Sequence, residues 1–310
     1  MPLMRKVLLS ASRSRWLSER AMRSRVVRRA TRRFMPGERL DDALTATREL
    51  ERAGMPTILT RLGENLESEA DARAVGDHYV EAHERVRAAG VNAEMSVKLT
   101  QLGLDLSPAT ARANLVRIAA AAAAQGRTVW VDMEGSAYTQ ATLDLYRSAR
   151  AERANLGIAV QAYLRRTADD LEALIAAGAA IRLVKGAYDE PERIAFRTRS
   201  EVDANYVRLA GRLLAGEALA AGVFPAFGTH DERIIEHLRA HAAEAGVAKE
   251  RYEFEMLYGI RRELQARLAG SGHRVRVLIS YGEAWFPWYM RRLAERPANV
   301  WFVARSVFAR

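Results

Sequence analysis

The chain has 310 residues, a formal net charge of +10 and no cysteine. The absence of cysteine excludes disulfides, a thiolate nucleophile, iron–sulfur clusters and cysteine-bound zinc. Hydrophobic residues make up 49% and charged residues 28% of the chain, which is ordinary for a globular protein. A single β/α barrel takes about 250 residues, so the length suffices for one such domain.

The excess positive charge lies in residues 1–33, which hold eleven basic side chains and one acidic side chain, Glu19. The rest of the chain has equal numbers of basic and acidic groups. We therefore divide the chain into a basic helical arm, residues 1–33, and a catalytic domain, residues 34–310. The arm has the Arg- and Ser-rich composition of a transit peptide. It also suits an anionic membrane surface, nucleic acid, or a solvated helix packed on the domain.

Composition and charge also predict the partners and the location of the protein. The neutral domain has no extended basic surface by composition, so we expect no nucleic-acid partner. No segment reaches the roughly 18 consecutive apolar residues of a membrane span. We expect a cytoplasmic protein whose arm makes peripheral contact with the inner face of the membrane.

An alternation of short strands and longer helices follows the arm. Pro36-Gly37 predicts a turn, and Asp41 is a candidate cap for a helix through Glu51. Eight β-branched runs predict strands at 57–60, 94–99, 128–133, 158–163, 181–185, 224–228, 252–257 and 275–280. Helical runs rich in Ala, Leu, Arg and Glu cover 66–89, 108–125, 139–154, 167–177, 200–221, 231–245, 259–269 and 285–295.

Strands separated by single helices predict parallel pairing, and eight such units predict a closed (βα)8 TIM-like barrel. An open doubly wound sheet is the rival architecture. The first predicted strand is followed by Arg61-Leu62-Gly63-Glu64-Asn65, which is not a glycine-rich dinucleotide fingerprint. No phosphate-loop motif is present either.

The reacting groups of such barrels lie at the carboxyl ends of the strands. Lys98 and Asp132 stand at matching heights in adjacent apolar strands, so we expect an ion pair, which is either functional or purely structural. Arg182 and Lys185 lie three residues apart and therefore on opposite faces of one strand. We expect one of them to line the barrel mouth and the other to reach across its rim. Tyr281, directly after the eighth strand, is assigned to the substrate site.

Two further segments are candidates for ligand binding. His230 ends the sixth strand, where it suits a phosphate or a ring, or caps the next helix together with Asp231. The sequence supports no metal site there, because no second histidine is near. The adjacent Arg291 and Arg292 lie in an unusually apolar helix, and guanidinium groups bind carboxylates with two parallel hydrogen bonds.

Six segments, in order, resemble bacterial monofunctional proline dehydrogenases from about residue 30 to near the C-terminus. These segments are 96–105, 131–134, 161–164, 182–188, 228–231 and 291–296. The resemblance implies an FAD enzyme that oxidises L-proline to Δ1-pyrroline-5-carboxylate, the first step of proline degradation, and passes the electrons to a quinone.

The resemblance also assigns roles to residues. Arg291, Arg292 and Lys98 hold the substrate carboxylate, Asp132 pairs with Lys98, and Arg182 lies near the flavin N5. The positions that it implies for FAD binding are Met133, Gln161, Val184, Lys185, Gly186, Ala187, Thr229 and His230.

The chain departs from the family pattern in several places. Thr60 stands where the family often has aspartate, and Glu255 stands where it usually has glutamine. Leu278 and Trp288 stand where it often has tyrosines. These differences bear on which proline analogue is preferred. The alternative hypothesis is a cofactor-free lyase or aldolase that uses Lys98 or Lys185 on a small carboxylic acid.

Overall fold

Eight parallel strands form a closed barrel in a computed structural model that describes residues 31–63, 66–286 and 289–290. Each strand pairs with the next in the chain, and the eighth pairs with the first. The predicted (βα)8 barrel is therefore confirmed. The strands are β1 Thr57–Arg61, β2 Ala93–Val97, β3 Val129–Val131, β4 Leu156–Gln161, β5 Ala180–Val184, β6 Phe224–Gly228, β7 Glu253–Leu257 and β8 Val275–Tyr281.

Helices alternate with the strands as predicted, and the helix predicted to run through Glu51 precedes β1. The predicted helix 200–221 is two helices, because Ala215 adopts an extended conformation between them. The helices are α1 Leu40–Arg52, α2 Glu69–Ala89, α3 Pro108–Ala123, α4 Thr139–Arg150, α5 Thr167–Ala176, α6 Arg199–Leu214, α7 Gly216–Ala220, α8 Glu232–Glu244 and α9 Arg262–Gly270. Short 3-10 turns are Thr100–Leu102, Ser136–Tyr138 and Lys249–Arg251.

Local sequence explains where several helices begin. The hydroxyl groups of Ser68 and Ser107 accept the backbone N–H groups of Asp71 and Thr110 at the starts of α2 and α3. The prediction that Asp41 caps α1 is wrong. The helix begins at Leu40, and the Asp41 carboxylate, already in the first turn, forms an ion pair with Arg85 of α2.

Side-chain alternation divides the core into two layers. Every second strand residue faces the helices and contributes to a continuous apolar layer, which includes Met95, Val131 and Ile279. The residues between them point into the barrel. This inner set contains a small apolar cluster of Ile58, Trp130 and Ala226 together with several charged side chains. Its charged residues are the ones from which the candidate site is built.

The large side chain of Trp130 fits inside the barrel because β4 has no side chain beside it. A Cβ atom placed on Gly157 would lie 2.6 Å from the Trp130 ring. The ring has little freedom to move away, since it is almost fully buried and its Nε1 donates to Glu94 Oε2 at 2.7 Å. Glycine at this position is therefore a packing requirement of the barrel interior.

Some of the predicted features lie outside the described residues. These are residues 1–30 of the arm, Trp288, and the Arg291-Arg292 pair. Residues 285–286 and 289–290 are helical, in agreement with the predicted helix 285–295 as far as it is described. Within the described ranges, no helix combines the length and apolar character that a membrane crossing requires.

The Gly157–Trp130 contact gives a stability prediction. We expect Gly157→Ala to lower the free energy of unfolding by about 1–3 kcal/mol, as other overpacking substitutions in cores do. Urea denaturation followed by circular dichroism measures the change. Gly216→Ala is the matched control, because a Cβ atom on Gly216 meets nothing within 4 Å. Equal stability of the two variants would contradict this packing account.

Candidate active site at the barrel mouth

The carboxyl ends of β2, β3 and β5 bring together two cations and one carboxylate. Lys98 Nζ lies 3.6 Å from Asp132 Oδ2, and Arg182 Nη1 lies 2.9 Å from Asp132 Oδ1. The predicted pairing of Lys98 with Asp132 is therefore confirmed, and Arg182 joins it from the next strand but one. Because one carboxylate serves two cations, this group of three side chains carries a net positive charge.

Ser96 holds the group together, and sequence reasoning missed it. Its hydroxyl donates to Asp132 Oδ1 at 2.7 Å and accepts from Arg182 Nη1 at 3.0 Å. Ser96 lies two residues before Lys98 and therefore on the same face of the chain. That spacing is the signal that identifies Ser96. A serine alone indicates no function, because its partners come from β3 and β5.

The guanidinium of Arg182 is enclosed by an aromatic ring and a second carboxylate. Its Cζ lies 4.6 Å from the centroid of the Trp130 ring, within the range of a cation–π contact. Its Nε lies 2.5 Å from Glu255 Oε2, and both side chains are almost fully buried. Arg182 therefore has little freedom to leave the barrel interior.

The Glu255 carboxyl has a close cation but poor hydrogen bonding. Among the described residues, neither of its oxygens accepts a hydrogen bond, although Arg182 Nε is near. Burial raises the pKa of Glu255 to about 8, and the charge of Arg182 only partly opposes that rise. A neutral Glu255 can still make this close contact with Arg182. When one carboxyl oxygen carries the proton, the other oxygen can face the Arg182 Nε–H group.

A second ionic layer lies deeper in the barrel. Arg276 Nε lies 2.9 Å from Glu253 Oε1, and its Nη2 lies 3.6 Å from Glu94 Oε1. Glu94 also accepts from the indole N–H of Trp130. Through Trp130, this deeper layer supports the ring on which Arg182 rests. The barrel interior is thus a stack of paired charges in place of a purely apolar core.

The two cations of the β5 segment lie on different sides, as predicted. Arg182 points into the barrel, whereas Lys185 Nζ forms ion pairs with Asp203 and with Asp231, the latter at 3.0 Å. Asp231 also accepts from Arg199 Nη2 at 2.8 Å. Burial opposes the charge of Asp231, but the hydrogen bonds from Lys185 and Arg199 outweigh it and lower the pKa to about 2.

These ion pairs bear on the lyase hypothesis. A lysine that forms a Schiff base must lose its proton before it reacts. Lys185 Nζ forms ion pairs with two carboxylates, and Lys98 Nζ lies 3.6 Å from Asp132, so both amines are engaged by anionic partners. Nothing in the described part of the chain favours this alternative.

The segments that follow β5 and β6 form the adjacent part of the rim. Gly186 has φ of +110°, and a Cβ atom there would overlap the Tyr163 ring, so only glycine fits. His230 Nε2 accepts the backbone N–H of Leu257 at 2.8 Å. Asp231 caps α8 with its own carboxylate, which accepts from the N–H of Arg233. The helix-capping alternative is thus correct for Asp231, while His230 contacts the end of β7.

Two other predicted cofactor positions are at the ends of β3 and β4. Met133 and Gln161 are buried, and Gln161 Nε2 donates to the carbonyl oxygen of Glu134 at 2.8 Å. Glu134 in turn accepts from the hydroxyl and the backbone N–H of Thr100. Glu134 therefore links the segment after β2 to the segment after β3, a connection that sequence reasoning missed.

Tyr281 does not join the other predicted substrate residues. Arg276 and Leu278 of β8 point into the barrel, so Tyr281, at an odd spacing from them, faces the helices. Its hydroxyl lies 2.8 Å from Nε2 of His78 on α2. Burial and the charge of Arg61 lower the pKa of His78 to about 4, so this partner is neutral at pH 7. We therefore leave Tyr281 out of the proposed substrate site.

One nitrogen of the buried Arg182 guanidinium lacks an acceptor in the part of the chain that the structure describes. Among the described residues, its buried Nη2 has no hydrogen-bond partner, although Nη1 and Nε face carboxylates. A buried donor without an acceptor costs free energy, so such an atom favours a polar ligand group beside it. The donor set fits a cofactor that gains negative charge during the reaction.

Comparisons with known proteins identify the family of the chain. A family model described as proline dehydrogenase matches residues 43–305. Proline dehydrogenase 1 of Bacillus subtilis strain 168 is 36% identical over 305 residues, 98% of this chain and 99% of the relative. Proline dehydrogenase of Deinococcus radiodurans is 37% identical over 284 residues, 89% of each chain.

A solved structure shows the same fold in a longer protein. Proline utilization A from Bdellovibrio bacteriovorus, inactivated by N-propargylglycine, superimposes with a TM-score of 0.81 and 26% sequence identity. The match covers 91% of this chain and 34% of that one. With the family model and the near full-length relatives, these findings show that the chain belongs to the proline dehydrogenase family.

Proposed function

We propose that the protein is an FAD-dependent dehydrogenase that oxidises L-proline to Δ1-pyrroline-5-carboxylate and passes the electrons to a quinone. The observation that carries the proposal is the net positive group of Lys98, Asp132 and Arg182 at the barrel mouth. Proline brings one carboxylate, which a positive group of this size can neutralise. Membership of the proline dehydrogenase family supports the same substrate.

The proposed roles divide the mouth into two parts. Lys98 binds the substrate carboxylate together with Arg291 and Arg292, which lie outside the described residues. Asp132 keeps Lys98 and Arg182 in place and prevents their mutual repulsion. The cofactor side comprises Arg182 together with Met133, Gln161, Val184, Lys185, Gly186, Ala187, Thr229 and His230.

Bound FAD would supply the two-electron acceptor for the hydride that leaves the ring carbon next to the proline nitrogen. The protein residues orient the ring and stabilise the negative charge that develops during transfer. The Arg182 guanidinium suits the second task, because two carboxylates and the Trp130 ring fix its position before the reaction.

Anaerobic addition of L-proline tests the function. We expect purified, FAD-loaded protein to be yellow, to lose its visible flavin absorbance with L-proline, and to recover it when a soluble quinone is added. Lys98→Met removes a charged hydrogen bond to the substrate, so KM for proline should rise by roughly tenfold to a hundredfold.

The matched control is Lys249→Met. Lys249 precedes β7 at the opposite end of the barrel, and its Nζ donates to the carbonyl oxygen of Ser271. This variant should keep the KM of the unmodified protein. A protein that does not take up FAD, or a bound flavin that L-proline leaves oxidised, would contradict the proposed function.

We also propose that the basic arm holds the protein at the inner face of the membrane, where a lipid-soluble quinone is available. The support is the location of the charge: residues 1–33 carry the whole excess of +10. Each basic side chain near an anionic surface contributes about 1 kcal/mol of attraction.

Vesicle flotation tests the role of the arm. We expect the full chain to float with vesicles that contain an anionic lipid and to remain behind with neutral vesicles. Four Arg→Gln substitutions, at Arg13, Arg15, Arg20 and Arg23, should weaken binding by about two to three orders of magnitude. Equal flotation of the two proteins would contradict a membrane role for the arm.

A further inference from the structure

Glu255 is a departure from the family pattern at a position that contacts Arg182. The resemblance to proline dehydrogenases implies glutamine here, a neutral side chain of nearly the same size. In this chain a carboxyl lies 2.5 Å from Arg182 Nε, and both side chains are almost completely buried. The substitution therefore adds an ionisable group directly behind the cation assigned to the flavin.

Several charged and titratable groups surround Glu255. They come from five elements of the barrel and its helices: Arg182 on β5, Glu253 on β7, Arg276 on β8, Glu94 on β2 and Tyr206 on α6. Arg276 is already paired with Glu253 and Glu94. Arg182 is therefore the cation that faces Glu255 most closely.

The charges inside the barrel do not balance when every group is ionised. Among the described buried or half-buried inward-facing residues, four carboxyl groups (Glu94, Asp132, Glu253 and Glu255) face three cations (Lys98, Arg182 and Arg276). A fourth cation, the exposed Arg274, lies 3.6 Å from Glu253 Oε2 at the solvent-facing edge of this set. Within the buried set alone, one retained proton balances the charges. Glu255 is the natural place for that proton, because no described residue donates a hydrogen bond to either of its oxygens that would stabilise the anion.

The protonation state of Glu255 decides how much positive charge the mouth presents. With Glu255 neutral, Lys98, Arg182 and Asp132 together carry one positive charge. With Glu255 ionised, the same set with Glu255 carries none. Reduction of a flavin adds negative charge beside Arg182, and such a charge favours uptake of a proton nearby.

We propose that Glu255 is a positioning residue that keeps one proton behind Arg182 whenever the flavin is reduced, and that loses this proton to solvent in alkaline solution once the flavin is oxidised. The proposal rests on the proposed function. The step is a simple protonation: the Glu255 carboxylate gains a proton, no other bond changes, and the two electrons come from proline. Because burial raises the pKa of this carboxyl to about 8, the oxidised protein keeps the proton at neutral pH and releases it in mildly alkaline solution.

The midpoint potential of the bound flavin tests the proposal. Potentials are measured for the unmodified protein and for Glu255→Gln on both sides of the pKa of Glu255. The variant mimics the neutral acid, so the two potentials should coincide at low pH. Above the pKa, the potential of the unmodified protein should fall below that of the variant, with a slope steeper by one proton per two electrons across the transition.

The matched control is Glu217→Gln, which makes the same chemical change at an exposed position on α7. Its potential should follow that of the unmodified protein at every pH. Parallel potentials of the unmodified protein and Glu255→Gln across the whole range would overturn the proposal, even if proline reduces the flavin normally.

A second measurement needs no cofactor. The pKa of Glu255 is raised in the folded state, so the folded protein holds a proton that the unfolded chain releases. The stability that this proton contributes is fully present below the ordinary glutamate pKa and is lost as the pH rises to about 8. Glu255→Gln should not show this loss.

Urea unfolding of the apoprotein, measured against pH for the unmodified protein and for Glu255→Gln, therefore tests the proton on Glu255 separately from the proposed function. If the difference in unfolding free energy between the two proteins changes over this pH range, Glu255 holds a proton in the folded state. A difference that stays constant overturns the assignment of the proton to Glu255. A protein that binds no FAD would contradict the proposed function and the redox part of this proposal. The unfolding result would still decide whether Glu255 holds the proton.

Discussion

The position of Arg182 between two carboxylates is the interaction on which the candidate site depends. A guanidinium inside a barrel is stable only when opposite charges and hydrogen-bond acceptors surround it. Asp132 supplies an opposite charge, Ser96 supplies an acceptor, the Glu255 carboxyl lies 2.5 Å from Nε, and Trp130 supplies the flat surface on which the guanidinium lies. The deeper Arg276 layer holds Trp130 through Glu94 and so supports Arg182 from below.

This requirement also explains how a positive site forms in a neutral domain. The excess charge of the chain belongs to the arm, and the barrel as a whole is balanced. The mouth is positive because Asp132 is shared between Lys98 and Arg182, while Lys185, only three residues further on, is neutralised by Asp203 and Asp231 at the rim. The local arrangement, and not the net charge, determines which ligand fits.

Sequence reasoning predicts the parts that follow from periodicity. Alternation of strands and helices gives the barrel, and alternation along each strand places Lys98 with Asp132 and separates Arg182 from Lys185. The same rule, applied to β8, places the Tyr281 side chain on the helix-facing side of the strand. Tyr281 therefore does not reach the proposed substrate site inside the barrel. The partners of Ser96, Trp130 and Glu255 were not predictable, because those contacts join strands far apart in the chain and depend on the barrel register.

The central claim is that the mouth recognises the carboxylate of a proline-like substrate through its local positive charge. A direct measurement is the affinity of the FAD-loaded protein for L-proline and for L-prolinamide, obtained from the concentration dependence of anaerobic flavin bleaching. Prolinamide keeps the ring and the reacting C–H bond but lacks the negative charge. The account predicts an affinity for prolinamide weaker by roughly tenfold to a hundredfold. Equal affinities for the two compounds would contradict it.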